Sequence, residues 1–137
     1  MMIYLLDTNA VTALGDNNQA ARQNLEQIQP EDEVYTCFVV LAEWDLGVLL
    51  AKNVVRQREI LVKGTRIFNI LTGILHSTHE VCSSYSAIAA ELRKAGTQIP
   101  ANDMWIAAVA RSIGATIVTS DKHFTKVQGL LVVDWTQ

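Results

Sequence analysis

Four carboxylates of this 137-residue chain are candidates for one shared site, although Asp7 and Asp121, each taken alone, are also explained by a turn or helix cap. Asp7 and Asp121 each follow a short apolar run, and Glu43 and Asp103 each have apolar neighbours at helical spacing. A carboxylate on a core-facing helix face is unfavourable unless a cation or hydrogen-bond donors compensate its charge. Two carboxylates about 4 Å apart repel each other by roughly 4 kcal/mol at an effective dielectric of about 20. If the four acids meet, they therefore stay ionised only with a cation among them.

A hard divalent cation suits such a group of oxygen ligands. Carboxylate, amide and hydroxyl oxygens favour Mg²⁺ or Mn²⁺, and Asn9, Thr119 and Ser120 lie close enough in sequence to add oxygen contacts. One or two such ions would bind a phosphodiester oxygen, orient a water for in-line attack and stabilise the leaving oxygen. The acids thus predict the chemistry of a nuclease.

Strands alternating with helices must position these acids. We predict strands over 3–6, 34–38, 74–76, 115–119 and 130–133, and helices over 17–29, 39–51, 54–71, 78–95 and 103–113. A capping box at Ser77-Thr78-His79-Glu80 begins the fourth helix, and Asn102 is expected to cap the fifth. The pattern predicts an α/β fold with a small, mostly parallel, twisted sheet and helices on both faces. No linker or repeat divides the chain, so residues 1–137 are expected to form one domain.

Composition excludes several other classes of protein. Half of the residues are hydrophobic and 18% are charged, which excludes intrinsic disorder. No apolar run approaches the roughly 18 residues that span a bilayer, and Met1 to Leu6 is too short for a signal peptide, so we expect a soluble cytoplasmic protein with no membrane partner. Cys37 and Cys82 lack metal-binding or disulfide spacing and are predicted to be reduced core residues.

Charge is unevenly distributed along the chain, although the net charge is only −3. The first 51 residues hold eight acids and one base, whereas residues 52–126 hold ten bases and five acids. A fold that sets these parts side by side could hold a cation and a polyanion together. Lys52, Arg56 and Lys122 are the candidate contacts to phosphates, with a solvated helix face as the alternative for the stretch from Lys52 to Arg66.

Five stretches of the chain carry a resemblance to one family. In chain order they are Ile3 to Asn9, Leu41 to Glu43 with Gly47, Asn102 to Ala108, Val118 to Phe124, and Gly129 to Trp135. They resemble the motifs of the PIN-domain ribonucleases, and among these the VapC-type toxins of toxin–antitoxin pairs. The resemblance implies that the family's catalytic, metal-binding acids correspond to Asp7, Glu43, Asp103 and Asp121.

The same resemblance implies a three-layer fold, a homodimer, dependence on Mg²⁺ or Mn²⁺, and endonucleolytic cleavage of RNA that leaves a 5′-phosphate and a 3′-hydroxyl. It also implies an antitoxin protein whose tail occupies the site. Two departures leave points open. His123 stands where many relatives have another acid, so the number of metal ions stays open. Val39 and Val40 stand where many relatives carry a hydroxyl, so the polar support of Glu43 stays open.

Other functions are weighed against this one. A non-catalytic PIN-like binding module and a housekeeping RNA-processing nuclease both stay open. A signalling receiver is disfavoured because Leu6, not an acid, precedes Asp7, and a haloacid-dehalogenase phosphatase would need Asp-x-Asp where Asp7-Thr8-Asn9 stands. His76 and His79 have no third metal ligand at zinc spacing. Glu91 is a weaker site candidate because Lys94 can pair with it.

Overall fold

A computed structural model describes residues 1–137 and contains five strands, six α-helices and one short 3₁₀ segment. The strands are β1 (Ile3–Leu6), β2 (Glu33–Cys37), β3 (Gly73–Leu75), β4 (Thr116–Val118) and β5 (Leu131–Val133). The helices are α1 (Thr8–Gly15), α2 (Gln19–Glu26), α3 (Phe38–Leu49), α4 (Val54–Ile70), α5 (His79–Lys94) and α6 (Ala101–Ile113). The 3₁₀ segment, Lys122–Lys126, follows β4.

The five strands form one sheet in the order β3-β2-β1-β4-β5, and every neighbouring pair is parallel. Leu5 of the central strand lies opposite Tyr35 on one side and Ile117 on the other. Leu5 and Leu6 point to opposite faces of the sheet, and both are fully buried, so helices cover both faces. The predicted α/β fold is confirmed.

The strand order creates a candidate binding site at the edge of the sheet where β1 and β4 end. From β1 the chain builds one half of the sheet outward through β2 and β3, and then returns to add β4 and β5 on the other side. Such a reversal leaves a crevice where the two halves meet, and open parallel sheets bind ligands there. Asp7 follows β1, and Asp121 follows β4.

The helix boundaries follow from local hydrogen bonds, and they correct four details of the sequence analysis. Asp7 caps α1, for which the sequence analysis left a turn or a helix cap open and gave no helix range, and Thr78 rather than Ser77 caps α5 by accepting a hydrogen bond from the Val81 amide at 3.2 Å. Asn102 is not a cap, since α6 begins at Ala101 after Pro100. The second helix spans only Gln19–Glu26, which is shorter than the predicted 17–29.

Helices α3 and α4 approach closely at Gly64. A Cβ atom built on this glycine would lie 2.1 Å from the Trp44 Nε1 atom, so no side chain fits there. The Trp44 indole N–H donates to the Ile60 carbonyl across the same contact at 3.0 Å. Trp44 is thus a buried packing residue that ties α3 to α4, which fixes the helix that carries Glu43.

Two expectations from composition can also be compared with the structure. Cys37 is buried as predicted, but Cys82 lies on the exposed side of α5, so its placement in the core was wrong. None of the helices combines the length and apolar character that crossing a membrane requires.

Candidate metal centre

Asp7 lies at the base of the site and is the most buried of the four acids, with 4% of its surface exposed. One carboxylate oxygen accepts a hydrogen bond from the Ala10 amide at 2.9 Å, and the other accepts one from the Thr119 hydroxyl. Burial raises the pKa of this carboxyl from 3.8 to about 6. The two hydrogen bonds oppose that rise, while the negative charges of Asp103 and Asp121 add to it.

Thr119 connects Asp7 to the loop after β4. Its hydroxyl donates to Asp7 and accepts from the Asp121 amide at 2.9 Å. The Asp121 carboxylate in turn accepts from the His123 amide at 2.9 Å and so caps the 3₁₀ segment. This chain of hydrogen bonds fixes the relative positions of two of the predicted metal ligands, while a role of Thr119 in supporting a metal stays a prediction.

Asp103 and His123 complete this side of the site. Asp103 lies in the first turn of α6, and its carboxylate is 2.9 Å from the Nδ1 atom of His123. The same nitrogen lies 3.3 Å from the Asp121 carboxylate. One ligand atom from each of these three residues lies within 4.8 Å of the others. The structure therefore gathers two acids and an imidazole in one compact group.

Glu43 is connected to the start of α1 through Thr8. Its carboxylate accepts a hydrogen bond at 3.0 Å from the hydroxyl of Thr8, the residue next to Asp7. Burial raises the pKa of the neighbouring Cys37 thiol, and the charges of Glu43 and Asp7 contribute to that rise, which places both acids around the end of β2. Val39 and Val40 are core residues, so the hydroxyl that supports Glu43 comes from Thr8.

The remaining predicted residues lie around these acids with fewer contacts. Asn9 and Ser120 are both exposed, form no hydrogen bond to any of the four acids, and line a narrow cleft next to Trp135. Their supporting role stays a prediction. Glu91 lies away from the site and pairs with Arg111 at 2.8 and 3.0 Å rather than with Lys94.

A groove of about 210 Å³ opens beside Glu43, between α1, α3 and α4. Its lining includes Thr8, Gly47, Arg56 and Lys63. Arg56 pairs with Glu59 at 3.0 Å, and Lys63 pairs with Asp16 at 2.8 Å, so both bases already have a partial counter-charge. Lys122 is exposed next to Asp121, whereas Lys52 is exposed in the turn before α4 and contacts none of the acids. Contacts from Lys52, Arg56 and Lys122 to RNA stay predictions.

The donor set suits a divalent cation. The carboxylates of Asp7, Asp103 and Asp121 are close enough for their charges to interact, and no Lys or Arg side chain pairs with any of them. Oxygen ligands of this kind bind Mg²⁺ and Mn²⁺, and a cation among them would lower the pKa of Asp7 again. The residues present thus fit such an ion.

Two contacts of the site were missed by the sequence analysis. Thr8 follows Asp7 directly and is the first residue of a capped helix. That position is the signal that would have indicated the Thr8 hydroxyl as a contact of the site. His123 was noticed only as a departure from an acid. Its place two residues after Asp121, at the start of a helical turn, is the signal that would have directed its ring back toward the site.

The chain is similar in sequence to several curated ribonucleases. The model of the PIN domain matches residues 4–130. The protein named Ribonuclease VapC1 from Haemophilus influenzae strain R2866 is 30% identical over 138 residues, with 99% of this chain and all of the relative covered. Ribonuclease VapC2 of Rickettsia felis is 30% identical over 136 residues and covers 98% of both chains.

Solved structures agree with the sequence relatives. VapBC-1 from nontypeable Haemophilus influenzae superposes with a TM-score of 0.85 at 30% identity, covering 99% of this chain and 100% of that one. VapBC2 from Rickettsia felis, whose structure was solved bound to a promoter DNA fragment, superposes with a TM-score of 0.84 at 27% identity, covering 98% of this chain and 99% of that one. VapBC-5 from Mycobacterium tuberculosis, described as a member of the VapBC family of toxin-antitoxin systems, superposes with a TM-score of 0.78 at 25% identity, covering 98% of this chain and 99% of that one. The PIN-domain model matches nearly the whole chain, and the parallel sheet has acids gathered at its carboxyl edge. This chain therefore belongs to the PIN domain family.

Proposed function

We propose that this chain is a metal-dependent endoribonuclease and the toxin of a VapBC-type toxin–antitoxin pair. The observation that carries the proposal is the convergence of Asp7, Asp103 and Asp121 at one end of the sheet, with Glu43 hydrogen-bonded to Thr8, the residue next to Asp7. The names of the relatives, which are ribonucleases and toxin–antitoxin complexes, support it. Residues 1–137 form a single catalytic domain in this proposal.

The four acids share one task in the proposed site, since Asp7, Glu43, Asp103 and Asp121 would hold one or two Mg²⁺ or Mn²⁺ ions. A divalent ion held there would supply positive charge for the phosphate and would lower the pKa of the attacking water. Thr119 and the Ala10 amide orient Asp7, and Thr8 orients Glu43, so the carboxylates need little rearrangement to act. Lys122 and Arg56 lie on either side and attract the RNA backbone.

Surface composition supports protein partners. Leu49, Leu50, Val54 and Val55 at the junction of α3 and α4 are between 65% and 74% exposed. Contiguous apolar surface of this kind marks an interface in a water-soluble protein. We propose that the chain forms a homodimer and binds an antitoxin. Light scattering of the chain alone, and after co-expression with the product of an adjacent reading frame, measures both assemblies.

A cleavage assay on purified protein tests the activity. Wild-type protein with Mn²⁺ or Mg²⁺ should cut labelled oligoribonucleotides to products with a 5′-phosphate and a 3′-hydroxyl, and EDTA should stop the reaction. Asp103→Asn should reduce the rate by about 100-fold or more, because it removes a charged ligand of the site. Glu91→Gln is the matched control, since Glu91 lies on the neighbouring helix and contacts only Arg111.

Metal binding provides a second, independent measurement. The melting temperature of the wild-type protein should rise with added Mn²⁺, because an ion bound only by the folded state stabilises that state by mass action. The Asp103→Asn protein should show a much smaller rise. Cleavage that persists in EDTA, or an Asp103→Asn variant that cuts at the wild-type rate, would overturn the proposed function.

A further inference from the structure

His123 occupies an unusual position for a residue outside the four acids. Its Nδ1 atom lies 2.9 Å from the Asp103 carboxylate and 3.3 Å from the Asp121 carboxylate. Its backbone amide donates to the other oxygen of Asp121, which fixes the ring near both acids. The side chain is half-buried, with 41% of its surface exposed, and its Nδ1 atom faces the two acids.

These distances match those between ligands of one ion. Neighbouring ligands at a right angle, with bonds of about 2.1 Å as for Mg²⁺ or an imidazole nitrogen on a divalent metal, lie about 3 Å apart. The two nitrogen-to-oxygen distances fall on either side of that value, and the three ligand atoms together lie within 4.8 Å. Asp103, Asp121 and His123 thus already have the spacing of a coordinating group.

We propose that His123 is a metal ligand through Nδ1, together with Asp103 and Asp121, and that its nitrogen raises the preference of the site for Mn²⁺ over Mg²⁺. The inference rests on the proposed metal-dependent function and deepens it. Imidazole suits transition metals, whereas Mg²⁺ prefers oxygen ligands and gives up its water reluctantly. A fifth acid at this position would have favoured Mg²⁺, so the departure from an acid at residue 123 changes the choice of ion.

A different role for His123 predicts different results. An imidazole that donates a hydrogen bond from Nδ1 to the Asp103 carboxylate, across the observed 2.9 Å, would compete with an ion for that oxygen rather than bind the ion. In that case removal of the ring would leave Mn²⁺ binding unchanged or tighter, because the competing hydrogen-bond donor is lost. Direct coordination requires the opposite result, namely weaker Mn²⁺ binding when the nitrogen is removed.

Pulsed electron paramagnetic resonance of Mn²⁺ on the purified chain tests the inference directly. Mn²⁺ bound to wild-type protein should show electron spin-echo modulation from a coordinated ¹⁴N nucleus. The signal should disappear in His123→Ala and in His123→Asp. His79→Ala is the matched control, because His79 is exposed at the start of α5 and distant in sequence from the four acids of the proposed site, and it should retain the signal.

Affinity measurements complete the test. His123→Ala should weaken Mn²⁺ binding about tenfold or more, with a smaller effect on Mg²⁺ measured by competition. His123→Asp should restore binding but shift the ratio of affinities toward Mg²⁺. Melting curves in EDTA establish that each variant is folded, and His123→Asp serves if the alanine variant is not.

The outcomes separate this inference from the proposed function. If wild-type protein binds Mn²⁺ and cuts RNA without ¹⁴N modulation, or if His123→Ala retains the modulation, His123 is not a ligand, and the nuclease assignment stands. If wild-type protein binds neither Mn²⁺ nor Mg²⁺, the proposed function fails and the inference fails with it. Modulation lost only in the two His123 variants supports the inference.

Discussion

Replacing Asp7 by asparagine should stabilise the metal-free protein near neutral pH while it removes the proposed activity. The side chains have the same shape, and asparagine carries no charge. Burial raises the pKa of Asp7 from 3.8 to about 6, so the folded protein favours the protonated form more strongly than the unfolded chain does. A raised pKa in the folded state means stability that is present below about pH 4 and is lost as pH rises through about 6.

The size of the effect follows from the pKa shift. A shift from 3.8 to about 6 corresponds to roughly 3 kcal/mol of lost stability once Asp7 is ionised in both states. Asparagine avoids that loss, but its amide group must face the Thr119 hydroxyl, which already accepts from the Asp121 amide. Rearranging this bond costs about 1 kcal/mol. Asp7→Asn should therefore gain about 2 kcal/mol at about pH 8 and should lose about 1 kcal/mol at about pH 4.

Urea denaturation in EDTA between about pH 4 and about pH 8 measures the difference. Asp45→Asn is a suitable control because Asp45 is an exposed acid on α3, and its replacement should change stability little at any pH. With Mn²⁺ the order should reverse, since only the wild-type protein gains stability from the ion. A difference between Asp7→Asn and wild type that stays constant across this pH range would show that burial does not control the ionisation of Asp7.

Substitutions of Thr119, Gly64 and Glu91 test the hydrogen bonds and packing of the fold, the first two with a matched control. Thr119→Val should cost about 1 to 3 kcal/mol in urea denaturation and weaken Mn²⁺ binding, because Asp7 and the Asp121 amide both lose a partner, whereas Thr119→Ser should behave like wild type. Gly64→Ala should lower the free energy of unfolding by about 1 to 3 kcal/mol because its methyl group would overlap Trp44, while Gly47→Ala, which faces open space, should be neutral or gain up to about 1 kcal/mol. Glu91→Gln should lower the free energy of unfolding by less than about 1 kcal/mol, because the ion pair of Glu91 with Arg111 is half-exposed, and added salt should reduce this effect. A larger loss would mean that the pair holds α5 to α6 more firmly than its exposure indicates.

The sequence predicts the sheet well because each strand is short, apolar and bounded by clear punctuation. The predicted strand over 3–6 is confirmed in full, and the others agree to within one or two residues. Helix α1 was missed because Asp7 has two uses at once, as the cap of that helix and as an acid of the site. The residue after a strand can begin a turn, cap a helix or face a site, so its type alone does not predict a helix. Helix α1 is also only two turns long, which is too short for a clear apolar periodicity.

The site could be predicted in part. The position of Asp7 and Asp121 after two strands predicts that they approach each other, because the carboxyl ends of parallel strands meet, and the structure brings both close to Asp103 of α6. Their role in catalysis stays a proposal. The support of Glu43 by Thr8 and the contact of His123 with Asp103 depend on how loops turn, which periodicity does not describe. The placement of Cys82 in the core failed for a different reason, since a lone cysteine on a helix carries no signal about which face it occupies.

The position of β4 in the sheet has a consequence for biosynthesis. β1 is made first, but its neighbour β4 is made almost last, and Asp103, Asp121 and His123 all come from that late part of the chain. Parallel strands so far apart in sequence pair late in folding, because a long loop must close before their contacts form. If the proposed site is correct, a nascent chain carries Asp7 and Glu43 for most of its synthesis without the other residues of that site, and we expect no cleavage of RNA until translation has almost ended.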